Sequence, residues 1–211
     1  MHRVVETQVQ NRDLVGERRE QIIRAAIVVF RRKGFHESTT RDLAEEAGVT
    51  QSNIYNYVKS KGDILYLVCS HLVDIYLTCL DEVVEKHSDP HVRLVKAVES
   101  IISLMSEHKD ELILLYNETH SLNGNDRILV LQTVERFTKQ FQGLLDAYAA
   151  GGGSLRIKNR RLAANFLSFV PAIVALRGWD ISKHTKKEEA EEGILTFILG
   201  GLGVLLPEEN A

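Results

Sequence analysis

The stretch Thr39–Tyr57, TTRDLAEEAGVTQSNIYNY, decides how the rest of the chain is read. Thr39 followed three residues later by Asp42 is a capping-box pair that starts a short helix. Leu43, Ala44 and Ala47 fall on one face of that helix. Gly48 ends it, because a glycine backbone enters positive φ without a Cβ clash. Val49 is an apolar pivot, and Ala44 is small enough for two helices to approach closely. Thr50 caps a second short helix running to about Tyr57. Ile54 turns inward there, while Gln51, Ser52, Asn53, Tyr55 and Asn56 can face outward. Two short helices joined by a tight glycine turn form a helix-turn-helix. Amide and hydroxyl groups on its outer face are the kind that read base edges or bond phosphates.

Working outward, Ile23, Ala26, Ile27 and Phe30 form the apolar stripe of a preceding helix from about Glu17 to Lys33, stopped by Gly34. Residues 1–16 are polar and aperiodic, which predicts a flexible arm. Downstream, Ser60-x-x-Asp63 is a second capping box. It opens a long helix whose seam is Leu65, Val68, Leu72, Ile75, Tyr76, Cys79 and Val83, ending at Asp89–Pro90. Further helices are expected near 91–106, 108–121, 126–150, 158–178 and 188–206. Gly151–Ser154 and the polar stretch Asp180–Lys187 are expected as loops. The fold class is therefore all-α with about nine helices and no convincing strand. Its parts are the arm at 1–16, a DNA-binding three-helix unit at 17–62, and a helical bundle at 63–206.

The stretch through Leu65 resembles the signature of TetR-type repressors. The resemblance covers Arg19 to Leu65. It rests on Phe30…Gly34-Phe35, Thr39-Thr40, Leu43-Ala44…Ala47-Gly48-Val49, Ile54-Tyr55-x-Tyr57, and Lys59-Ser60-Lys61 followed by Asp63-Ile64-Leu65. Val58 departs from the pattern, where the family more often has Phe. The resemblance implies a C-terminal part that binds a ligand and dimerises. It also implies roles by position. Thr40 would contact phosphate and Arg41 would reach a base. Thr50, Gln51, Ser52, Asn53 and Asn56 would sit at the recognition helix, and Tyr55, Tyr57 and Lys61 would act as phosphate clamps, with a core aromatic as the alternative for Tyr57. The expected partner is a palindromic double-stranded operator read by a homodimer.

Charge alone does not announce this. The chain is −3 overall, but residues 1–62 hold 11 Lys and Arg against 8 Asp and Glu, and the remainder holds 15 against 21. A mildly basic N-terminal part on an acidic body suits a local nucleic-acid contact. Cys69 and Cys79 lie ten residues apart in one helix, roughly 15 Å along its axis, too far to bridge. That pattern fits a reducing cytoplasm. Met1–Gln10 lacks the apolar core of a signal peptide, and Ile194–Leu206 is too short to span a bilayer, so no membrane partner is expected.

No cofactor, metal or catalytic residue is expected. His87 and His91 are interrupted by Pro90. His71, His108 and His120 lack acids or cysteines at ligand spacing. Gly151–Gly153 has neither a preceding strand nor a Lys-Ser/Thr pair, and no nucleophile motif is present.

Two stripes in the last helices are expected to form the dimer surface: Leu162, Phe166, Phe169, Val170 and Ile173, and Ile194, Ile198, Leu202 and Leu205. The alternative is an ordinary monomer core. Effector contacts are sought among polar or aromatic residues in apolar helices: Leu72, Tyr76, Met105, Tyr116, Glu118, Thr119, Phe137, Phe141, Phe166, Phe169 and Trp179. Packing is the competing role for each. Within Leu112–Leu122, Tyr116, Asn117, Glu118 and His120 are either buried against a polar ligand group or on a helix turning to solvent. The effector expected from the resemblance is a small hydrophobic molecule of the acyl-CoA class. The alternatives to a DNA-binding regulator are a helical small-molecule carrier or a protein-binding adaptor.

Overall fold

Helix α1 (Arg12–Lys33) begins where Asn11 accepts hydrogen bonds from the backbone N–H groups of Asp13 and Leu14. Such a cap satisfies donors that the first helical turn leaves free. The helix stops at Gly34, whose φ of +79° is open to glycine at no steric cost. Its buried face is Ile22, Ile23, Ala25, Ala26, Val29 and Phe30. In this computed structural model, which describes residues 3–206, every regular element is helical.

The chain continues through α2 (Thr40–Glu46), α3 (Gln51–Tyr55), α4 (Lys61–Lys86), α5 (Pro90–Glu107), α6 (Lys109–Glu118), a 3₁₀ turn (Thr119–Ser121) and α7 (Gly124–Ala150). It ends with α8 (Arg160–Phe169), a 3₁₀ turn (Val170–Ala172), α9 (Ile173–Leu176), α10 (Gly178–His184) and α11 (Lys187–Leu202). The residues divide into two units. The first lies within Met1–Leu72 and Asp110–Thr133, the second within Val73–Lys109 and Val134–Ala211.

In the first unit α1 packs on α2 and α2 on α3, around Phe30, Leu43, Ile54, Ile64 and Leu65, each at most 1% exposed. The first unit also takes in most of α6, the turn after it and the start of α7, so it reaches beyond the 17–62 segment expected from the sequence. In the second unit α11 and α9 pack on α5, and α8 packs on α11. Leu94, Val98, Ile101, Ala163 and Leu167 form its interior. Helix α4 is long and apolar enough to cross a membrane, and two-thirds of its apolar window is buried in the protein.

Three boundaries differ from expectation. The arm is shorter and is anchored: Val5 is buried, and Arg19 donates to the carbonyls of Val5 and Tyr57. Asp180–Lys187 is not a plain loop, because α10 occupies Gly178–His184. The expected 158–178 helix breaks at Pro171, which sits in the 3₁₀ turn between α8 and α9 and has no N–H to donate.

Candidate nucleic-acid interface

Both capping boxes form. Thr39 Oγ1 accepts from the Asp42 backbone while the Asp42 carboxylate accepts from the Thr39 backbone. Ser60 and Asp63 are reciprocally bonded in the same way at the start of α4. Gly48 has a φ of +66°, so the α2–α3 turn requires a residue without a Cβ. Thr50 caps α3 by accepting from the Asn53 backbone.

These constraints fix the outer face. Gln51 Nε2 donates to Thr40 Oγ1 at 2.7 Å, and the Tyr55 hydroxyl lies 3.1 Å from the same atom. Thr40 therefore joins the two helices of the motif at the surface. Gln51 and Ser52 are exposed, Asn53, Asn56 and Thr40 half-buried, and Tyr55 is 41% exposed. Arg41 is exposed and has no ion-pair partner among the described residues. Three cations at the end of α1 are paired: Lys33 with Asp42 at 2.7 Å, Arg32 with Glu46 at 3.5 Å, and Arg31 with Asp110. Arg41 is thus an exposed cation next to Thr40 in the chain, with no ion pair among the described residues. The Lys33 ammonium, with the Thr39 backbone and hydroxyl, holds the Asp42 carboxyl down at about 2.

Two of the expected phosphate clamps make contacts within the chain. Tyr57 is 5% exposed and belongs to the core of the first unit. The Lys61 ammonium donates to the carbonyls of Phe35, His36 and Ser38 at 2.6, 2.9 and 2.7 Å, and lies over the Phe35 ring. An ammonium has three donors, so these bonds occupy all of them. Lys61 secures the turn after α1.

The effector candidates scatter. In the second unit Tyr76, Phe137 and Phe141 are buried in a row, with ring centroids 5.5 Å and 5.3 Å apart, and Met105 is 1% exposed. Leu72 is buried in the first unit. Phe166, Phe169 and Trp179 are 44%, 53% and 62% exposed, so they lie outside the bundle interior. Trp179 stacks under Arg177 and Lys183. Of the 112–122 block, Leu112, Leu114, Leu115 and Leu122 are buried, Tyr116, Asn117 and His120 are exposed, and Glu118 and Thr119 are half-buried. The helix turns its polar end outward, the second of the two alternatives.

The expected dimer stripes also separate. Leu162, Phe166, Phe169 and Ile173 are 41–53% exposed on α8 and α9, and Leu205 is 79% exposed. Val170 and Ile194 are half-buried. Ile198 and Leu202 are at most 5% exposed and belong to the chain's own core, on the helix that packs against α5. Phe197, 72% exposed, is the outward apolar residue of α11 that the sequence pattern missed.

Comparison with known proteins decides the kinship. Residues 22–66 match the family of bacterial regulatory proteins of the tetR family, and residues 87–172 match the tetracyclin repressor-like C-terminal domain. The HTH-type transcriptional regulator HbdR of Aromatoleum sp. (strain CIB) is 30% identical over 195 residues, 92% of this chain and 85% of HbdR. The chain belongs to the TetR family. As a TetR-family protein it is a DNA-binding transcriptional regulator whose helix-turn-helix is the segment described above. A tetR-family regulatory protein from Rhodococcus RHA1 shares the fold with a TM-score of 0.78 at 19% identity, over 89% of this chain and 98% of that one. So does AibR, whose structure holds isovaleryl coenzyme A and operator DNA, with a TM-score of 0.72 at 15% identity over 85% and 97%.

The family boundaries sharpen one feature of the fold. Asp110–Thr133 lies inside the stretch matched by the C-terminal domain, yet it packs in the same unit as the DNA-binding helices.

Proposed function

We propose that this TetR-family regulator is a cytoplasmic homodimeric repressor that leaves a palindromic operator when an acyl-CoA binds its C-terminal part. The observation that carries the reading is the surface cluster of Thr40, Gln51 and Tyr55, with the exposed Arg41 next to Thr40 in the chain. Amide and hydroxyl groups can read base edges, and a guanidinium can bond guanine or phosphate. Two copies related by a two-fold axis would present two such faces to successive major grooves.

The dimer face in this account is Leu162, Phe166, Phe169 and Ile173. Exposed apolar residues gathered along one helical run are the mark of an interaction surface. A two-fold interface places the same patch of each subunit against its copy.

The effector reading rests on the aromatic row Tyr76–Phe137–Phe141 with Met105, an apolar and polarisable surrounding suited to an acyl chain. It is consistent with the isovaleryl coenzyme A bound by AibR, a protein of the same fold. Coupling to DNA would run through Asp110–Thr133. This segment bonds Arg31 through Asp110 and Arg3 through Asp126. An effector preferring one position of the segment shifts the spacing of the reading heads. Moving the population from 1:99 to 99:1 takes a preference of about 10⁴, or about 5.5 kcal/mol.

A thermal-shift series with acyl-CoAs of increasing chain length, free coenzyme A and the matching fatty acids tests the effector. Stabilisation by the thioesters, with release of bound operator at the same concentrations, is expected. Unchanged melting with every acyl-CoA would overturn the effector class.

A further inference from the structure

Away from the reading face, the fold gathers three metal-ligating side chains, one of them more than 80 residues from the other two. His36 is in the turn after α1, Glu118 ends α6, and His120 is in the 3₁₀ turn that follows. One ligand atom from each lies within 4.8 Å of the others, and all three belong to the first unit. Ser121 Oγ sits beside this cluster, 3.1 Å from His36 Nε2 and donating to the Glu118 carboxylate at 3.0 Å.

We propose that His36, Glu118 and His120 form a binding site for one zinc ion, with water as the fourth ligand. Two imidazoles and one carboxylate are an established zinc donor set, and a fourth open position completes a tetrahedron. The imidazoles disfavour magnesium and calcium, which take oxygen ligands. Metal–ligand bonds of about 2.0–2.1 Å place tetrahedral ligand atoms roughly 3.4 Å apart. The cluster therefore needs to contract by at most about 1.4 Å. His36 and His120 are exposed, so side-chain rotation supplies this without backbone movement. Ser121 already bonds two of the three ligands and would orient them from outside the ion, as outer-shell partners do.

The position gives the site a consequence. Glu118 and His120 belong to the stretch matched by the family's C-terminal domain, whereas His36 belongs to that matched by the DNA-binding domain. A bound ion would tie the end of α6 to the turn between α1 and α2. It would stabilise the first unit in the arrangement described here, whatever the organic effector is.

Isothermal titration of tag-free, metal-stripped full-length protein with zinc chloride tests the proposal. The wild type and a His71→Ala control, altered at an exposed histidine elsewhere, should each bind one ion per chain. The His36→Ala/His120→Ala double variant should lose at least a hundredfold in affinity, and Glu118→Gln about tenfold. Because the two histidines are exposed, the double variant should keep the wild-type melting temperature when metal-free. Absence of saturable zinc binding by the wild type, or a double variant that binds as the wild type does, overturns the site.

Discussion

The Arg3 guanidinium places Nε 3.1 Å from the carboxylate of Asp126, a residue only 1% exposed. The same guanidinium bonds Asp63, and its backbone N–H donates to the Tyr66 hydroxyl at 2.9 Å. One residue near the N-terminus thus neutralises two carboxylates, at the starts of α4 and α7. Arg3→Ala leaves Asp126 buried with Asn123 as its remaining side-chain partner. Breaking a buried pair is destabilising by up to 3–5 kcal/mol. Arg3 is partly exposed, so about 2 kcal/mol is expected, read by urea denaturation. Asp126→Asn in the Arg3→Ala background should recover part of the loss.

Acid should weaken the first unit in a defined window. The Asp42 carboxyl is held at about 2 by Lys33 and Thr39. Burial acts against ionisation of Asp63, but Arg3, the Lys59 backbone and Ser60 outweigh it and bring its value below the ordinary carboxylate range. Groups depressed in the folded state stabilise it above their unfolded values, near 4, and lose that contribution as pH falls through the folded values. Melting temperature should therefore drop steeply from pH 4 towards pH 2. Asp42→Asn should lower the plateau and flatten the drop, as followed by circular dichroism.

Lys61→Ala should act on stability and leave the salt dependence of DNA binding unchanged. Three carbonyls of the turn after α1 lose a charged donor at once, and charge-assisted bonds contribute about 1.5–3 kcal/mol each at most. A fall in melting temperature is expected. A clamp on phosphate would instead flatten the slope of log K against log salt by about one per contact.

Replacing Phe166 and Phe169 by Glu should convert a dimer into a folded monomer in analytical ultracentrifugation. Both rings are exposed in the single chain, so the change need not disturb the core. Retention of the dimer by the double variant would place the interface elsewhere.

The helix-turn-helix was legible because its signals are local: a capping box, a glycine at positive φ, a cap at Thr50. What escaped depends on distant neighbours. The core alternative for Tyr57 was legible too, since Ile54, Tyr57 and Val58 fall at i, i+3 and i+4 on one face. The role of Lys61 was not, since its acceptors arrive from the turn at residues 35–38. The second half of helix α11 is apolar nearly all round, with Ile194, Leu195, Phe197, Ile198, Leu199 and Leu202. Periodicity therefore does not choose which side meets α5 and which faces out, and Ile198 and Leu202 were expected outside while Phe197 was overlooked. Glu118 and His120 are two residues apart, but nothing along the chain links them to His36. Only the packing of α6 into the first unit joins them.

The most direct test of the central claim is a fluorescence-anisotropy titration of labelled DNA from upstream of the chain's own coding region. Wild type, Gln51→Ala/Tyr55→Phe and Arg41→Ala are compared at two salt concentrations. The account predicts saturable, salt-sensitive binding by the wild type and at least tenfold weaker binding by the Gln51/Tyr55 variant at an unchanged melting temperature. It predicts a flatter salt slope for Arg41→Ala. Binding by both variants with wild-type affinity and slope would contradict the assignment of the Thr40–Gln51–Tyr55 face as the surface that reads DNA.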